Sequence, residues 1–347
     1  MVKTCITAQH REMLEQVLSL FEIIPDYDLD IMKTNQSLFD ITIEGLRKLE
    51  KILIKEKPDI ILVQGDTTTA FLASLAAFYF KIKIGHVEAG LRSEDKYNPF
   101  PEEMNRKLTD CLSDLFFAPT VKARENLLKE GVPGEKIFVT GNTVIDALLA
   151  VAQKQKSKKI EKYLRRKFSE EHGITFGRQR IILVTGHRRE SFGQEFENIS
   201  YGLRRLALKN RDIQIIYPVH LNPNVQRPVN RILAGLSNVH LIKPLDYFSF
   251  VFLMNRSYLI LTDSGGIQEE APALGKPVLV MRKVTERPEG LEAGMARLIG
   301  TKRNKIYTEA MKLISDKKQY RKMAKAINPY GDGKASSRIA KILRQEH

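Results

Sequence analysis

Four carboxylates in the first half of the chain sit in short polar clusters that follow apolar runs: Asp66, Glu88, Glu102 and Glu103. Asp66 closes Gln64-Gly65-Asp66 and Glu88 closes His86-Val87-Glu88. Glu102 and Glu103 end a proline-fixed loop, Asn98-Pro99-Phe100-Pro101, that opens a helix. Acids gathered at one place repel, so at least one of them holds its proton more tightly, as proton transfer at a reacting centre requires. Glu102 and Arg106 are four residues apart and share a helix face, so an ordinary i,i+4 salt bridge is the alternative use of that pair.

The second half carries a different chemistry. Asp263-Ser264-Gly265-Gly266-Ile267-Gln268-Glu269-Glu270 follows an apolar run and starts a helical pattern. Two glycines let the backbone approach a ligand, and the N–H groups at a helix start attract phosphate. Glu269 and Glu270, about one turn later, place a carboxylate where it can accept the two hydroxyls of a ribose. A plain strand-to-helix turn capped by Ser264 or Asp263 is the alternative. Arg287, in Thr-Glu-Arg-Pro-Glu, offers a guanidinium to a ligand or to a surface acid. Phe250, on the loop after Pro244, suits a nucleobase or the core. His187 and His220 each close an apolar run and are expected to face a ligand. No Walker A sequence, G-x-G-x-x-G, G-x-S-x-G elbow or H-E-x-x-H occurs. That speaks against an ATPase, an ordinary dinucleotide site, a serine hydrolase and a metalloprotease, and no metal is expected.

The elements that must hold these residues are legible in the apolar runs. Strands are expected at 4–7, 60–63, 83–86, 114–118, 137–140, 181–185, 213–217, 239–242, 258–261 and 278–281. They are rich in β-branched residues and nearly continuously apolar, as strands buried on both faces are. Helical patterns at 69–80 and 143–153 lie between them. The alternation predicts doubly wound parallel sheets, two of them for so many strands. The basic stretch 154–167, followed by Gly173, Gly177 and a new strand, marks a change of domain. Ligands bind beyond the carboxyl ends of such strands, which is where the polar clusters lie. Two sheets facing each other would line a cleft with them.

Composition excludes other classes. Among 347 residues 43% are hydrophobic and 28% charged, a soluble globular mix. Two cysteines make no disulfide framework, and neither a membrane-length apolar run nor a secretory signal is visible, so a reduced cytoplasmic setting is expected. The net charge of +15 is concentrated at 151–180, net +7, and 301–347, net +9. Apolar residues recur at helical spacing in both stretches, which makes them solvated helix faces. No aromatic residues alternate with the basic ones, so neither nucleic-acid binding nor membrane insertion is expected.

Taken together, Gln64-Gly-Asp-Thr-Thr-Thr, Gly85-His-Val-Glu-Ala-Gly-Leu-Arg, Pro99-Phe-Pro-Glu-Glu-Met-Asn-Arg, Gly141-Asn-Thr-Val-Ile-Asp, Thr185-Gly-His-Arg-Arg-Glu, Asp263-Ser-Gly-Gly-Ile-Gln-Glu-Glu and Asn328-Pro-Tyr-Gly-Asp-Gly resemble the non-hydrolysing bacterial UDP-N-acetylglucosamine 2-epimerases. The resemblance spans essentially the whole chain. It implies an α/β fold of two Rossmann-like doubly wound domains facing a cleft, similar to B-type glycosyltransferases. The domains would be 1–142 and 143–328, with a C-terminal helix in 329–347 returning to the first. It implies reversible C2 epimerisation of UDP-N-acetylglucosamine to UDP-N-acetylmannosamine through UDP and 2-acetamidoglucal, for surface polysaccharide, by a cytoplasmic homodimer without cofactor. By the same resemblance Asp66, Glu88, Glu102, Arg106 and His187 are the catalytic candidates. Ser264, Gly265, Gly266, Glu270 and Arg287 would hold UDP, with Phe250 near the uracil. Gln9, Arg188 and His220 match a second, activating UDP-N-acetylglucosamine site of some bacterial members. One departure stands out: family members begin with a further strand and a Gly-Thr-Arg-Pro-Glu loop, absent from this sequence, so the chain alone is expected to be unstable or poorly active. A glycosyltransferase on the same fold, or a protein that only binds the nucleotide sugar, are the rival readings.

Overall fold

Branched apolar residues form the strands, and helices with one apolar side return the chain between them. The computed structural model describes residues 1–7, 11–32 and 36–345, with residues 11–13 described by their backbone alone. Two compact units result, one of residues 1–143 with 333–347 and one of 144–332.

In the first unit β1 (Cys5–Ile6) and β2 (Tyr27–Asp28) form a short parallel ladder. A second parallel sheet has the order β3 (Ile60–Gln64), β4 (Lys83–Val87), β5 (Leu115–Ala118), β6 (Ile137–Val139). Its register sets Gln64 against Val87, so the ends of β3 and β4 are level. The ladder continues past them, with Gly65 N–H donating to Val87 O and Glu88 N–H to Phe117 O, each at 3.0 Å. Helix Thr68–Tyr79 starts beyond β3, where the Thr67 hydroxyl caps it by accepting from the Ala70 N–H. The C-terminal helix Ala335–Gln345 belongs to this unit. It buries Ile339 against Val87, Leu115 and Phe117, and its Arg338 Nη1 donates to Thr140 O at 3.0 Å.

The second unit holds one six-stranded parallel sheet of order β12 (Ala296–Leu298), β11 (Val278–Val280), β10 (Leu259–Thr262), β7 (Arg180–Thr185), β8 (Ile213–Pro218), β9 (Val239–Ile242). The chain runs outward from β7 to β9, then restarts at β10 on the other side of β7. A switch of direction leaves a crevice beyond the strand ends, where ligands bind in such sheets. Ile182, Val184, Ile215, Leu259 and Leu261 are fully buried and join one core with Phe196, Leu203 and Leu206. The basic stretches are helices with one buried side: Leu164 and Phe168 in Lys158–His172, and Ile306, Ala310 and Leu313 in Arg303–Ser315. Most of their charged side chains lie away from that buried side, while Lys167 turns to pair with Asp246. Among the described residues no helix is long and apolar enough to cross a membrane.

Candidate active site

At the ends of β3 and β4 the backbone is forced into an uncommon shape. Gly65 has φ +71°, and a Cβ there would stand 3.2 Å from Glu88 Oε2. Glycine is needed both for the conformation and for the space. Glu88 itself has φ +71° without being glycine, a strain of about 1–3 kcal/mol that tends to be kept at functional sites. Its carboxylate, held by Asn142 Nδ2 at 3.3 Å, is thereby set against the Gly65-Asp66 turn. The Asp66 carboxylate pairs with Arg106 Nη2 at 2.5 Å, and Asn105 Nδ2 donates to the Asp66 carbonyl at 2.9 Å. Arg106 Nη1 donates to Glu103 Oε2 at 3.1 Å, and buried Glu103 also accepts the Ser93 N–H at 3.0 Å.

The alternative i,i+4 pair between Glu102 and Arg106 does not form. Arg106 bridges Glu103, three residues back, and Asp66, so two of the clustered acids are balanced by a cation. Glu102 lies in the first turn of the same helix, Glu102–Leu112. Its Oε2 is buried and has no hydrogen-bond partner among the described residues.

A buried polar network lies behind these acids. His86 is fully buried, its Nδ1 2.6 Å from Asp110 Oδ1 and its Nε2 2.9 Å from the Gly65 carbonyl oxygen. Asp110 Oδ2 accepts the Gly90 N–H at 3.2 Å and pairs with Arg92 at 2.7 Å, and Arg92 reaches on to both oxygens of Glu130. Burial pushes the Asp110 carboxyl up, but the His86 hydrogen bond and charge, with Arg92, hold it below the ordinary carboxylate range. His86 and Arg92 both occur in the motif that contains Glu88, yet nothing in their spacing pointed to Asp110.

In the second unit the switch point falls between β7 and β10, followed by His187-Arg188 and by Asp263-Ser264-Gly265-Gly266. Ser264 is the N-cap residue of helix Gly265–Ala273, but its side chain makes no capping bond. Arg188 Nη2 and Arg287 Nη2 lie 3.8 and 4.0 Å from where a Cβ would stand on Gly265. Two guanidiniums thus flank a helix start, a pairing suited to a diphosphate. Gln268 ties the two loops, donating to Ser264 O at 3.1 Å and accepting from Thr285 Oγ1 at 2.7 Å. The tandem acids divide their work: Glu269 pairs with Arg287 Nε, whereas Glu270 Oε1 accepts from the Tyr247 hydroxyl at 2.9 Å. Phe250 is not on a loop as expected but in the first turn of helix Tyr247–Arg256, whose N-cap Asp246 accepts from Ser249 N–H and pairs with Lys167 at 2.8 Å. Tyr247 escaped the sequence reading. His220 stacks on His187, with ring centroids 5.7 Å apart and planes at 22°. Gln9 lies outside the described residues. Among those residues no group of three or more His, Cys, Asp or Glu is arranged to hold a metal ion.

Burial raises Glu270 to about 7, against the Tyr247 hydrogen bond that lowers it and with Glu269 adding to the rise. Were Glu270 to accept ribose hydroxyls, as the resemblance implies, it would have to be ionised, and UDP affinity is then expected to fall as pH drops through that value. In Glu270→Gln the affinity is lower and the pH step is lost, and UDP and its 2′-deoxy analogue bind alike; calorimetric titration across pH checks this. Stability moves the other way. A carboxyl whose folded value is raised is stabilised protonated, so the free protein loses stability as pH rises from the unfolded value, about 4–5, towards 7. Glu270→Gln should therefore be more stable than the wild type at pH 8 by about 1–3 kcal/mol.

A switch-point Gly-Gly turn flanked by two arginines, in a doubly wound parallel sheet, places the protein in the class of nucleotide-binding α/β folds. The chain belongs to the UDP-N-acetylglucosamine 2-epimerase family, whose profile matches residues 1–344. A protein of Salmonella typhimurium named UDP-N-acetylglucosamine 2-epimerase is 56% identical over 342 residues, covering 99% of this chain and 90% of that one. The protein of that name from Escherichia coli K12 gives the same identity and coverage. The crystal structure of UDP-GlcNAc 2-epimerase from Neisseria meningitidis bound to UDP-GlcNAc superposes with a TM-score of 0.90 at 51% identity, covering 99% of this chain and 91% of that one. The Methanocaldococcus jannaschii enzyme in complex with UDP-GlcNAc and UDP gives 0.76 at 35% identity, covering 97% and 89%.

Proposed function

We propose that this protein interconverts UDP-N-acetylglucosamine and UDP-N-acetylmannosamine by eliminating and re-adding UDP. The observation that supports the reading is that Asp66 and Glu88 follow the level ends of the adjacent strands β3 and β4, with the Glu88 carboxylate packed beside Gly65, in a chain of this family. The C2 hydrogen of the sugar has no neighbouring carbonyl, so its direct removal as a proton would be slow. Elimination avoids this. One carboxylate takes the C2 proton, the C1–O bond to UDP breaks with its electron pair, and a C1–C2 double bond forms, leaving 2-acetamidoglucal, UDP and a protonated acid. A carboxylic acid then returns a proton to the other face of C2, and a β-phosphate oxygen of UDP closes on C1.

Asp66, Glu88 and Glu102 serve these proton transfers, with Arg106 fixing Asp66. Ser264, the Gly265 and Gly266 amides, His187 and Arg287 hold the diphosphate and stabilise its charge as it departs. Glu270 accepts the ribose hydroxyls, and Phe250 lies by the uracil. Arg188 and His220 remain the candidates for a second, activating nucleotide-sugar site; the place of Arg188 beside Gly265 also supports a share in the diphosphate contact. Turnover in deuterium oxide is expected to place deuterium at C2 of both sugars, with no acceptor added, as read by proton NMR. Product that keeps its original C2 hydrogen would reject the elimination, and a requirement for a sugar acceptor would make the protein a glycosyltransferase.

A homodimer, formed through the first unit, is supported by exposed apolar side chains on two packed helices: Phe78 and Tyr79 of Thr68–Tyr79, and Met104 and Leu108 of Glu102–Leu112. Sedimentation equilibrium should give twice the chain mass, and Leu108→Asp should halve it. A reduced cytoplasmic setting accords with free thiols at Cys5 and Cys111.

A further inference from the structure

Asp263 directly follows β10, and none of its surface is exposed. Its two carboxylate oxygens are used unequally. Oδ2 accepts the backbone N–H of His187 at 2.8 Å and that of Arg188 at 2.9 Å. Oδ1 is buried and has no hydrogen-bond partner among the described residues, while His187 Nδ1 stands 3.4 Å from it. A buried acceptor left unmet costs about 1–3 kcal/mol, which a small closing movement of the ring would recover. His220 stacks alongside one face of His187. The His220 ring is itself fixed, its Nδ1 accepting the Asn222 N–H at 3.1 Å.

We propose that Asp263 is the positioning residue for His187: Oδ1 takes the Nδ1–H, which fixes the tautomer and turns Nε2 towards the diphosphate. Which nitrogen of a histidine carries the hydrogen is set by the bond that the other nitrogen makes. No other hydrogen-bond partner meets Oδ1 among the described residues. The consequence is chemical. With Nδ1–H committed to Asp263, Nε2 is the atom that receives a proton and then donates to the oxygens of departing UDP. Burial lowers the readiness of His187 to take that proton, the Asp263 charge raises it, and Arg188 and His220 lower it again. Asp263 is thus the one group in this set that favours the protonated ring. This inference rests on the reading of the second unit as the UDP site.

Nitrogen-15 NMR of the histidine-labelled protein, with His187→Asn to assign the signal, reads the tautomer without substrate. The expected wild-type result is a neutral ring protonated at Nδ1. In Asp263→Asn the amide nitrogen faces Nδ1, so the hydrogen should move to Nε2. Turnover should fall by about 10–100-fold, as it does when a partner that orients a ligating histidine is removed, with KM changing much less than kcat. A wild-type ring protonated at Nε2 overturns the proposal, and so does an Asp263→Asn protein that keeps both tautomer and turnover. If that variant does not fold, the wild-type tautomer decides alone. Failure of the epimerase reading shows separately, as absent C2 exchange in the wild type, and leaves the tautomer measurement intact.

Discussion

Asp66→Asn, Glu88→Gln and Glu102→Gln should each lower epimerase turnover by about 10²–10⁴-fold, the span for loss of a general acid or base, and leave UDP affinity nearly unchanged. The two readouts separate because the carboxylates lie in the first unit, while the groups proposed to hold UDP lie in the second. Stability distinguishes chemistry from scaffolding among the three. Glu102 Oε2 has no partner to lose, so Glu102→Gln should melt with the wild type while turnover collapses. Asp66 shares Arg106 with Glu103, so Asp66→Asn removes one charged hydrogen bond, at a cost of about 1–3 kcal/mol. Glu88→Gln keeps the Asn142 contact in one amide orientation and should cost less. Kinetics followed by NMR, beside thermal unfolding of each variant, checks the pattern. Three variants with near-normal turnover would remove these acids from the mechanism.

Strands and helices were legible where burial imposes a pattern. Runs such as Ile181–Thr185 and Val278–Met281 are apolar because both faces of a parallel strand are covered, so they announce themselves. The two strands missed, Tyr27–Asp28 and Ala296–Leu298, are two and three residues long and hold a charged residue each. They exist through pairing with β1 and β11, which no local pattern encodes. Strand order is likewise a tertiary fact: that β10 returns beside β7 decides which loops meet, and it brings Asp263 to His187 across 76 residues. At the site, residue types were readable but partners were not. Helical spacing allowed Arg106 to meet either Glu102 or Glu103, and packing chose the buried Glu103. Spacing alone did not divide the tandem Glu269-Glu270, whereas the structure pairs Glu269 with Arg287 and Glu270 with Tyr247. His86 was given no role beside Glu88, because its partners, Asp110 and the Gly65 carbonyl, are 24 and 21 residues away.

Arg92→Ala is expected to be the most destabilising of the variants considered, by about 3–5 kcal/mol, the loss when one partner of a buried ion pair is removed. Arg92 and Asp110 side chains are 1% and 3% exposed, so water cannot replace the missing guanidinium. Glu130, 41% exposed on the same arginine, can turn to solvent and should add little. Against a total stability of about 5–15 kcal/mol, such a loss is large, and urea unfolding would show it as a lower midpoint. Acid should erase the difference. The Asp110 carboxyl is held below its ordinary value, so its stabilisation is complete above the unfolded value, about 3.9, and is lost as pH falls below it. Wild type and variant should therefore converge towards low pH and stay apart by a constant amount near neutrality. The loss should also reach the chemistry. Asp110 holds His86, His86 meets the Gly65 carbonyl, and Gly65 packs beside the Glu88 carboxylate and directly precedes Asp66. Under conditions where Arg92→Ala remains folded, turnover should fall while UDP affinity holds. Should the variant melt with the wild type and turn over at its rate, the Asp110 charge is met by His86 alone, and the arginine has no part in holding the acids.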